Sequence, residues 1–433
     1  MKNSLVWLSI LTLTPSNLHG QPVPSTAAQP LTLQQAEQLA VQNNPRIAVA
    51  RLTALAEGQV IREVRSAELP MVTGNLTAVD AHAGSRITAG ALNNPIVYQR
   101  AAGGATVSQL ISDFGRTRNL IGSATLRARA QSSQQTATTA DVVIAVDEAF
   151  YRALGSQAVL KVASNTVAAR QTTTDQVSAL TGAKLKSTLD LSFANVNLAQ
   201  AKLLLLDARN ENQASMAALN ALLGNEQATS YTLVDDTGAT PAPAPRDAEP
   251  LVMQAFNSRP DLAVLSQEFA AARKFSSAEH DLRRPTVSAL GTAGSTPVRA
   301  DQITSSWYGA AGVNISIPIF NGFLFSARAT EADLRAAAAQ KQVDELRQTI
   351  ARDVRTTVLQ AQSNFERISV TQQLLDQANT AFDLAQTRYQ IGLSSIVELS
   401  QAQLAQTEAQ IAYATAKYSY QGSLAAIRYQ TGQ

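Results

Sequence analysis

Glu279-His280-Asp281 has the residue types of an acid–base or metal-binding trio, and Asp235-Asp236 has those of a cation site. Both need partners that converge on one point. Helical residues one and two apart do not face each other, and the trio stands at the end of a helical pattern just before Pro285, so it reads as solvated surface. Asp235-Asp236 precedes Gly238 and a run of prolines, where aspartates ordinarily make turns. Gly103-Gly104-Ala105 is followed by strand-like residues and lacks the lysine and serine of a phosphate-cradling loop. No serine stands in a G-x-S-x-G turn, and His19, His82 and His280 are too dispersed to form a pair with metal-ligand spacing. With no cysteine, disulfides, thiolate nucleophiles and cysteine-rich zinc sites are excluded. The expectation is a protein without catalytic residues, cofactor or metal.

The composition points toward architecture. Only 16% of the 433 residues are charged, against about 25% in ordinary soluble domains, and Ala, Gln, Thr, Ser and Asn fill the polar positions. A net charge of +2 gives no reason to expect nucleic acid. Lys2, the apolar stretch Leu5 to Leu13, a turn at Pro15 to Asn17 and Gly20 read as an export signal over residues 1–20, and with no cysteine after it no lipid anchor is expected. Beyond it no run approaches the ~20 apolar residues of a membrane-spanning helix; the longest aliphatic block is Leu203 to Leu206. Membrane insertion would therefore require a barrel, the other structure that satisfies every backbone group in lipid.

The chain is written twice. Pro45 and Pro260, and Pro70 and Pro285, share a shift of 215, whereas Val142, Val146 and Phe150 match Ile350, Val354 and Val358 at 208, as Leu189-Asp190-Leu191 matches Val397-Glu398-Leu399. Seven residues are thus missing from the second half between Pro285 and Ile350. These signals define a first repeat over 31–224, a Pro/Ala-rich linker over 225–247 and a second repeat over 248–432. In each, short helices precede strand-like residues, a very long helix, a glycine turn and a returning helix. From Val343 to Tyr389, residues including Ile350, Val354, Val358, Ala361 and Phe365 fall at coiled-coil spacings. A helix from about Phe323 to Tyr389 would be on the order of 100 Å long. Val313 to Ile319 alternates strictly, aliphatic on one face and Asn, Ser and Pro on the other, as a strand between lipid and water would; Val72 to Val79 and Ala105 to Ser112 alternate less cleanly. Tyr98, Trp307 and Tyr308 lie near strand ends, where an interfacial aromatic girdle would place them.

The twofold repeat, the motif Ile315-Ser316-Ile317-Pro318-Ile319-Phe320-Asn321-Gly322 with its partner Ser112-Asp113-Phe114-Gly115, and the segment Arg388-Tyr389-Gln390-Ile391-Gly392-Leu393 together resemble the TolC family of outer membrane efflux proteins, from about Leu31 to Gly432. The resemblance implies a mainly α fold with a membrane β-barrel portion. Long antiparallel coiled-coil helices form an α-barrel tunnel, and each chain gives four strands to the barrel of a homotrimer. It implies an outer-membrane location with a long periplasmic part, and as partners a periplasmic adaptor, an inner-membrane transporter and the lipid bilayer. Independently of the resemblance, four strands cannot close a barrel and lone helical hairpins leave apolar edges bare, so several copies are expected to combine.

By match to the family's closed tip, Asp190 and Tyr389 would be linking residues, and Glu398 and Gln401, three apart on one helix face, would point into the constriction. Ser394 stands where well-known members have a linking arginine, Gln401 where they have a second acid, and Gly182 lies two places before the position opposite the turn glycine Gly392. A looser closure with a weaker negative ring is expected. The function implied is the passive exit duct of a tripartite efflux or type I secretion system. A periplasmic coiled-coil adaptor without a pore is the alternative, which leaves two strand pairs and the duplication unexplained.

Overall fold

The computed structural model describes residues 29–80, 82, 99–225, 229–236, 243–298 and 304–433. In chain order the first half comprises β1 (Gln29–Leu31), α1 (Leu33–Asn43), α2 (Pro45–Arg65), β2 (Met71–Val79), β3 (Arg100–Ser112), α3 (Arg116–Gly182) and α4 (Thr188–Leu222). After β4 (Tyr231–Leu233) the second half comprises α5 (Glu249–Ser258), α6 (Pro260–His280), β5 (Thr286–Val298), β6 (Trp307–Ser316), α7 (Leu324–Gln390) and α8 (Ile396–Gln430).

The duplication is near-complete at the level of helix ends. α3 and α7 each have 67 residues, α4 and α8 each have 35, and all four pairs of ends (116/324, 182/390, 188/396, 222/430) keep the 208 shift. At 1.5 Å per residue, α3 and α7 are each about 100 Å long. The seven-residue shortfall is the sum of two opposite changes. The shift is 215 where the strand hairpins begin (71/286), 204 where they end (112/316) and 208 where the long helices begin, so the second hairpin is shorter by eleven and its strand-to-helix connection longer by four.

Two glycines make the joints. Gly224 (φ +77°) follows α4 and approaches the Asn43 carbonyl so closely that a Cβ would lie 2.7 Å from its oxygen; Gly432 (φ +75°) does the same against Ser258. Asn44 caps α2 by accepting from the Arg46 amide (3.0 Å), and its Nδ2 donates to the Leu222 carbonyl (2.9 Å). In the second half the Ser258 hydroxyl donates to the Thr431 carbonyl (2.7 Å). Thus α2 and α4 meet end to end along α3, as α6 and α8 do along α7, while α6 and α8 also pack on α3 and join the halves. The main core lies at these joints. Val142, Val146 and Phe150 of α3 are buried with Leu31, Ala36, Leu219, Leu223 and Leu233, and the matching Ile350 and Val354 of α7 with Val252 and Leu262.

β2, β3, β5 and β6 form one antiparallel sheet in that order, and β1 pairs in parallel with β4. Register alignment gives the larger sheet two chemically distinct faces. Val72 and Leu76, Ala105 and Val107, Ala289 and Ala293, and Val313 and Ile315 share one face, which carries no charged residue; Thr73, Asn75, Thr106, Ser108, Ser288, Thr292 and Asn314 share the other. The alternation expected for β6 therefore runs through the other three strands with exceptions: Met71, Leu110 and Leu290 lie on the polar face and Gln109 and Ser295 on the apolar one. β6 itself ends at Ser316, so Ile317 to Ile319 are connection, and β3 begins at Arg100, five residues before the expected Ala105. The girdle expectation divides. Trp307 is exposed on the apolar face, but Tyr308 lies on the polar face across Gly104 and Gly294, where any Cβ would collide with its ring; Tyr98 lies outside the described residues.

Candidate functional site: the paired helical turns

At the end remote from the sheet, α3 turns into α4 and α7 into α8 through two copies of one motif. The Leu185 amide donates to the Leu180 carbonyl (2.8 Å) and the Lys184 amide to that of Thr181 (3.0 Å); Leu393 and Gly392 donate likewise to Arg388 (2.8 Å) and Tyr389 (3.2 Å). This double bond closes a helix C-terminus when the residue after the cap is left-handed. Gly392 (φ 79°) fills that position in the second turn, and Lys184 (φ 62°) fills it in the first. Gly182 is the last helical residue of α3, with open space where a Cβ would be, so it is not the turn-making residue that its type suggests.

Each return helix is then capped by a serine. The Ser187 hydroxyl accepts from the Asp190 amide (3.1 Å), and the Asp190 carboxylate accepts from the Ser187 amide (3.1 Å), a closed capping box. Ser395 caps α8 through the Glu398 amide (3.3 Å), whereas the Glu398 carboxylate reaches the Arg388 guanidinium (3.5 Å) across its own turn. Gln401 is exposed one turn further along α8, and Ser394 is half-buried with its hydroxyl 3.4 Å from the Ser395 carbonyl.

The two turns touch at Tyr389. Its ring is buried among Val177, Ala194, Ile396 and Leu399, and the Lys186 ammonium lies 4.4 Å from the ring centre. Burial, followed by the negative charge of Asp190, pushes the phenol above its ordinary range. The Tyr389 hydroxyl is buried without a hydrogen-bond partner in the single chain. Further along, Arg170 is buried and donates to Gln403, which also reaches Thr173 (3.5 Å); Asn197 donates to Ser400 (2.6 Å). Desolvation lowers the Arg170 guanidinium's proton affinity. Lys184, Lys186, Arg170 and Gln403 were not singled out from the sequence. The 208 shift from Gly392 points to Lys184, but no periodicity reports the other three.

Two readings of acidic groups are corrected. Glu279 and Asp281 are buried, not solvated: Arg328 holds Glu279 through two bonds (2.7 and 3.2 Å), and Asp281 accepts from Asn119 (2.9 Å) and pairs with Arg284 (3.2 Å). Only His280 is exposed, paired with Asp333 at 3.0 Å. The three side chains do diverge, as their spacing requires, but α3 and α7 cover two of them. Asp235 ties β4 to α8, accepting from Lys417 (2.8 Å) and the Tyr418 hydroxyl (2.9 Å), more than a turn residue does. At the joint of the halves Asp147 is 4% exposed, with one oxygen 3.1 Å from Arg428 and the carboxyl beside that of Glu37. Burial, then a hydrogen bond and charge from Glu37, push its carboxyl up to about 7 against the pull of Arg428.

The strand motif is brought together at the opposite end of the long helices. Phe114-Gly115 and Gly322-Phe323 are both consecutive pairs in the left-handed region, just before α3 and α7. Pro318, Phe320 and Asn321 lie in the connection that leads to the second pair.

The outer membrane efflux protein model matches residues 36–225 and 251–433. The solvent efflux pump outer membrane protein SrpC of Pseudomonas putida is 26% identical over 301 residues, 67% of this chain and 62% of its own length. The outer membrane protein TolC of Salmonella enteritidis is 22% identical over 422 residues, 94% of this chain and 83% of its own length. Among solved structures, the outer-membrane channel OprN covers 92% of this chain and 89% of its own (TM-score 0.80, 20% identity). The CmeC outer membrane channel of Campylobacter jejuni covers 92% and 85% (TM-score 0.81, 17% identity). With the long duplicated helices, the two-faced sheet and matches over both halves, the chain belongs to the outer membrane efflux protein family and is placed in the outer membrane with a long periplasmic part.

Proposed function

We propose that three copies of this chain form a passive exit duct, the outer-membrane component of a tripartite efflux system. The observation that carries this reading is the four-stranded sheet with one uncharged face and two unpaired edges, β2 and β6, at the end of helices ~100 Å long. Four strands are too few to close a barrel, and three copies supply twelve. The helices leave complementary edges as well. Leu189, Val196 and Leu203 stand exposed at heptad spacing on α4, and Val370, Leu384 and Ile391 on α7 or just beyond it, so α4 of one copy would cover α7 of the next. The pore-free adaptor reading gives the sheet no role.

At the tip, Glu398 and Gln401 would line the constriction, with Ser394 beside it. The unpartnered Tyr389 hydroxyl would find its acceptor, the Asp190 carboxylate or another oxygen, in a neighbouring copy. The exposed Leu185 and Leu393 of the turns themselves would meet a periplasmic adaptor, through which an inner-membrane transporter supplies energy. SrpC is named for solvent efflux; this chain's cargo is proposed to be a small molecule chosen by the transporter.

Single-channel conductance of purified protein in a planar bilayer, with the oligomer followed on unheated gels, tests this. A trimer with small, cation-preferring conductance is expected. Glu398→Ala should reduce cation preference and block by multivalent cations, and Tyr389→Ala should raise the open fraction. A monomer with no conductance in any reconstitution overturns the duct.

A further inference from the structure

The polar face of the sheet departs from its own pattern where it meets the long helices. Met71, Leu110 and Leu290 stand on that face near the ends of β2, β3 and β5 that adjoin the helices, and Met71 is 63% and Leu290 46% exposed. With Leu282 they form the apolar side of a recess of about 510 Å³, a volume within the range of small-molecule sites. Its other side carries four charges, Asp113, Arg116, Asp281 and Arg284.

Three of these charges are already satisfied. The Asp113 carboxylate accepts from the Gly115 amide (3.3 Å), the Thr117 amide (2.7 Å) and the Thr117 hydroxyl (2.5 Å), at the positive end of the α3 dipole. Asp281 accepts from Asn119 (2.9 Å) and pairs with Arg284 (3.2 Å), whose Nη1 also donates to the Phe114 carbonyl (2.6 Å). Arg116 is the exception. Its Nε is buried without an acceptor, and its guanidinium has no hydrogen bond or ion pair with the described residues. A donor left in that state favours any acceptor brought to it. The duplication supplies a control, because at the shifts of 215 and 208 Met71 matches Thr286 and Arg116 matches Leu324. The second half builds the same strand-to-helix junction with neither the thioether nor the cation, so the fold does not require them.

We propose that this recess is a cargo subsite on the inner wall of the duct, at the junction of barrel and tunnel, and that it takes an anionic amphiphile. The apolar body of such a molecule lies against Met71, Leu110 and Leu290, and its carboxylate meets the Arg116 guanidinium, whose fork of donors matches two carboxylate oxygens. The polar face of the sheet lines the water-filled interior of a barrel. Strand side chains stand perpendicular to their sheet, whereas neighbouring copies pair with β2 and β6 in its plane, so assembly leaves the recess open to the lumen. The inference rests on the exit-duct reading and gives its cargo a chemical class.

The test uses two probes of similar size and opposite charge, 2-naphthoate and 2-naphthylmethylammonium. Their equilibrium binding is measured on the full chain assembled in phosphatidylcholine nanodiscs, with binding to empty discs subtracted. Naphthoate should bind more tightly by about tenfold or more, the worth of one charge-assisted hydrogen bond. Arg116→Gln should abolish that preference and Arg116→Glu should reverse it, while Leu290→Asn should weaken both probes several-fold without changing their ratio. Equal affinity for the two probes, no binding above that of empty discs, or a preference untouched in Arg116→Gln overturns the subsite. So does naphthoate binding undiminished in Leu290→Asn, which would take the apolar wall out of it. Unheated gels report the assembly of each variant and conductance of the wild-type chain reports the pore, so a failed subsite is distinguished from a failed duct.

Discussion

The middle of the long helices and their tip are parts of the same two hairpins, yet they are held together very differently. At the middle, Phe150 is 1% exposed and Val142 and Val146 are wholly buried beneath α1, α4 and the β1–β4 pair. Charges there are tied over long sequence separations, Asp147 to Arg428 and Asp235 to Lys417 and Tyr418. At the tip the core is five residues, Val177, Ala194, Tyr389, Ile396 and Leu399. Around it Leu185, Leu189, Ile391 and Leu393 are more exposed than covered, and the acids bond within their own turns. The difference teaches where motion is inexpensive. Opening at the tip separates a small cluster and one cation–aromatic contact, whereas opening at the middle would expose a packed core. Local stability follows buried apolar contacts, so the tip belongs to the low end of the range and the joint to the high end.

The largest expected effect comes from removing the core of the stable region. Phe150→Ala should destabilise the chain by about 3 to 5 kcal/mol, seen as a lowered thermal midpoint and a reduced yield of assembled protein. Tyr389→Ala, although it also truncates a buried aromatic, should leave the global midpoint nearly unchanged and alter conductance instead. Equal losses of global stability from the two would break the contrast between middle and tip.

A second test uses the buried carboxyl at the joint. Asp147 is held at about 7 where an ordinary aspartate titrates near 3.8, because burial and Glu37 disfavour its charge more than Arg428 favours it. The folded chain therefore binds a proton that the unfolded chain has already released between these values. Stability should fall as pH rises from about 4 to about 7, and below that window Asp147 contributes no pH dependence. Asp147→Asn, neutral throughout, should flatten this part of the profile of thermal midpoint against pH. A fall that persists in the variant would place the proton on Glu37.

The legibility of these features in the sequence divides along physical lines. The extent of α7 was legible because coiled-coil spacing runs without a proline from about Phe323 to Tyr389, and the shift of 208 points to its counterpart in the first half. The sheet was most legible in β6, where Val313 and Ile315 alternate with Asn314 and Ser316, and β2 was read to within one residue of its start; β3 is diluted by Gly103, Gly104 and several alanines, and its second face emerges only through register with β5. Long-range ties were invisible. Glu279 meets Arg328 forty-nine residues away, and Asp235 meets Tyr418 at a separation of 183, so no local pattern can report either pair. The expected tip residues do lie together at one end of the helices. The hydroxyl of Tyr389 nevertheless has no partner in one chain, and the contact proposed for it would come only with a neighbouring copy.

The smallest expected effect sharpens the comparison within the tip itself. The two turns share one backbone, but the first places Lys184 where the second places Gly392. A side chain in the left-handed region costs roughly 1 kcal/mol or more, while a glycine there costs entropy only through the unfolded chain. The first turn also carries a glycine where none is needed, since Gly182 ends α3 with helical backbone and open space around it. Exchanging the two features, by Lys184→Gly with Gly182→Ala, should stabilise that turn by about 1 to 2 kcal/mol. Hydrogen exchange of the Leu185 amide, which closes the turn on the Leu180 carbonyl, reads this directly as slower exchange, and Gly392→Ala should speed the Leu393 amide. If the first turn gains protection and the open fraction of the pore falls with it, strain at Lys184 is part of what keeps the tip ready to part. If protection rises and conductance is unmoved, the turn is a passive hinge and the resistance to opening resides in the packing around Tyr389.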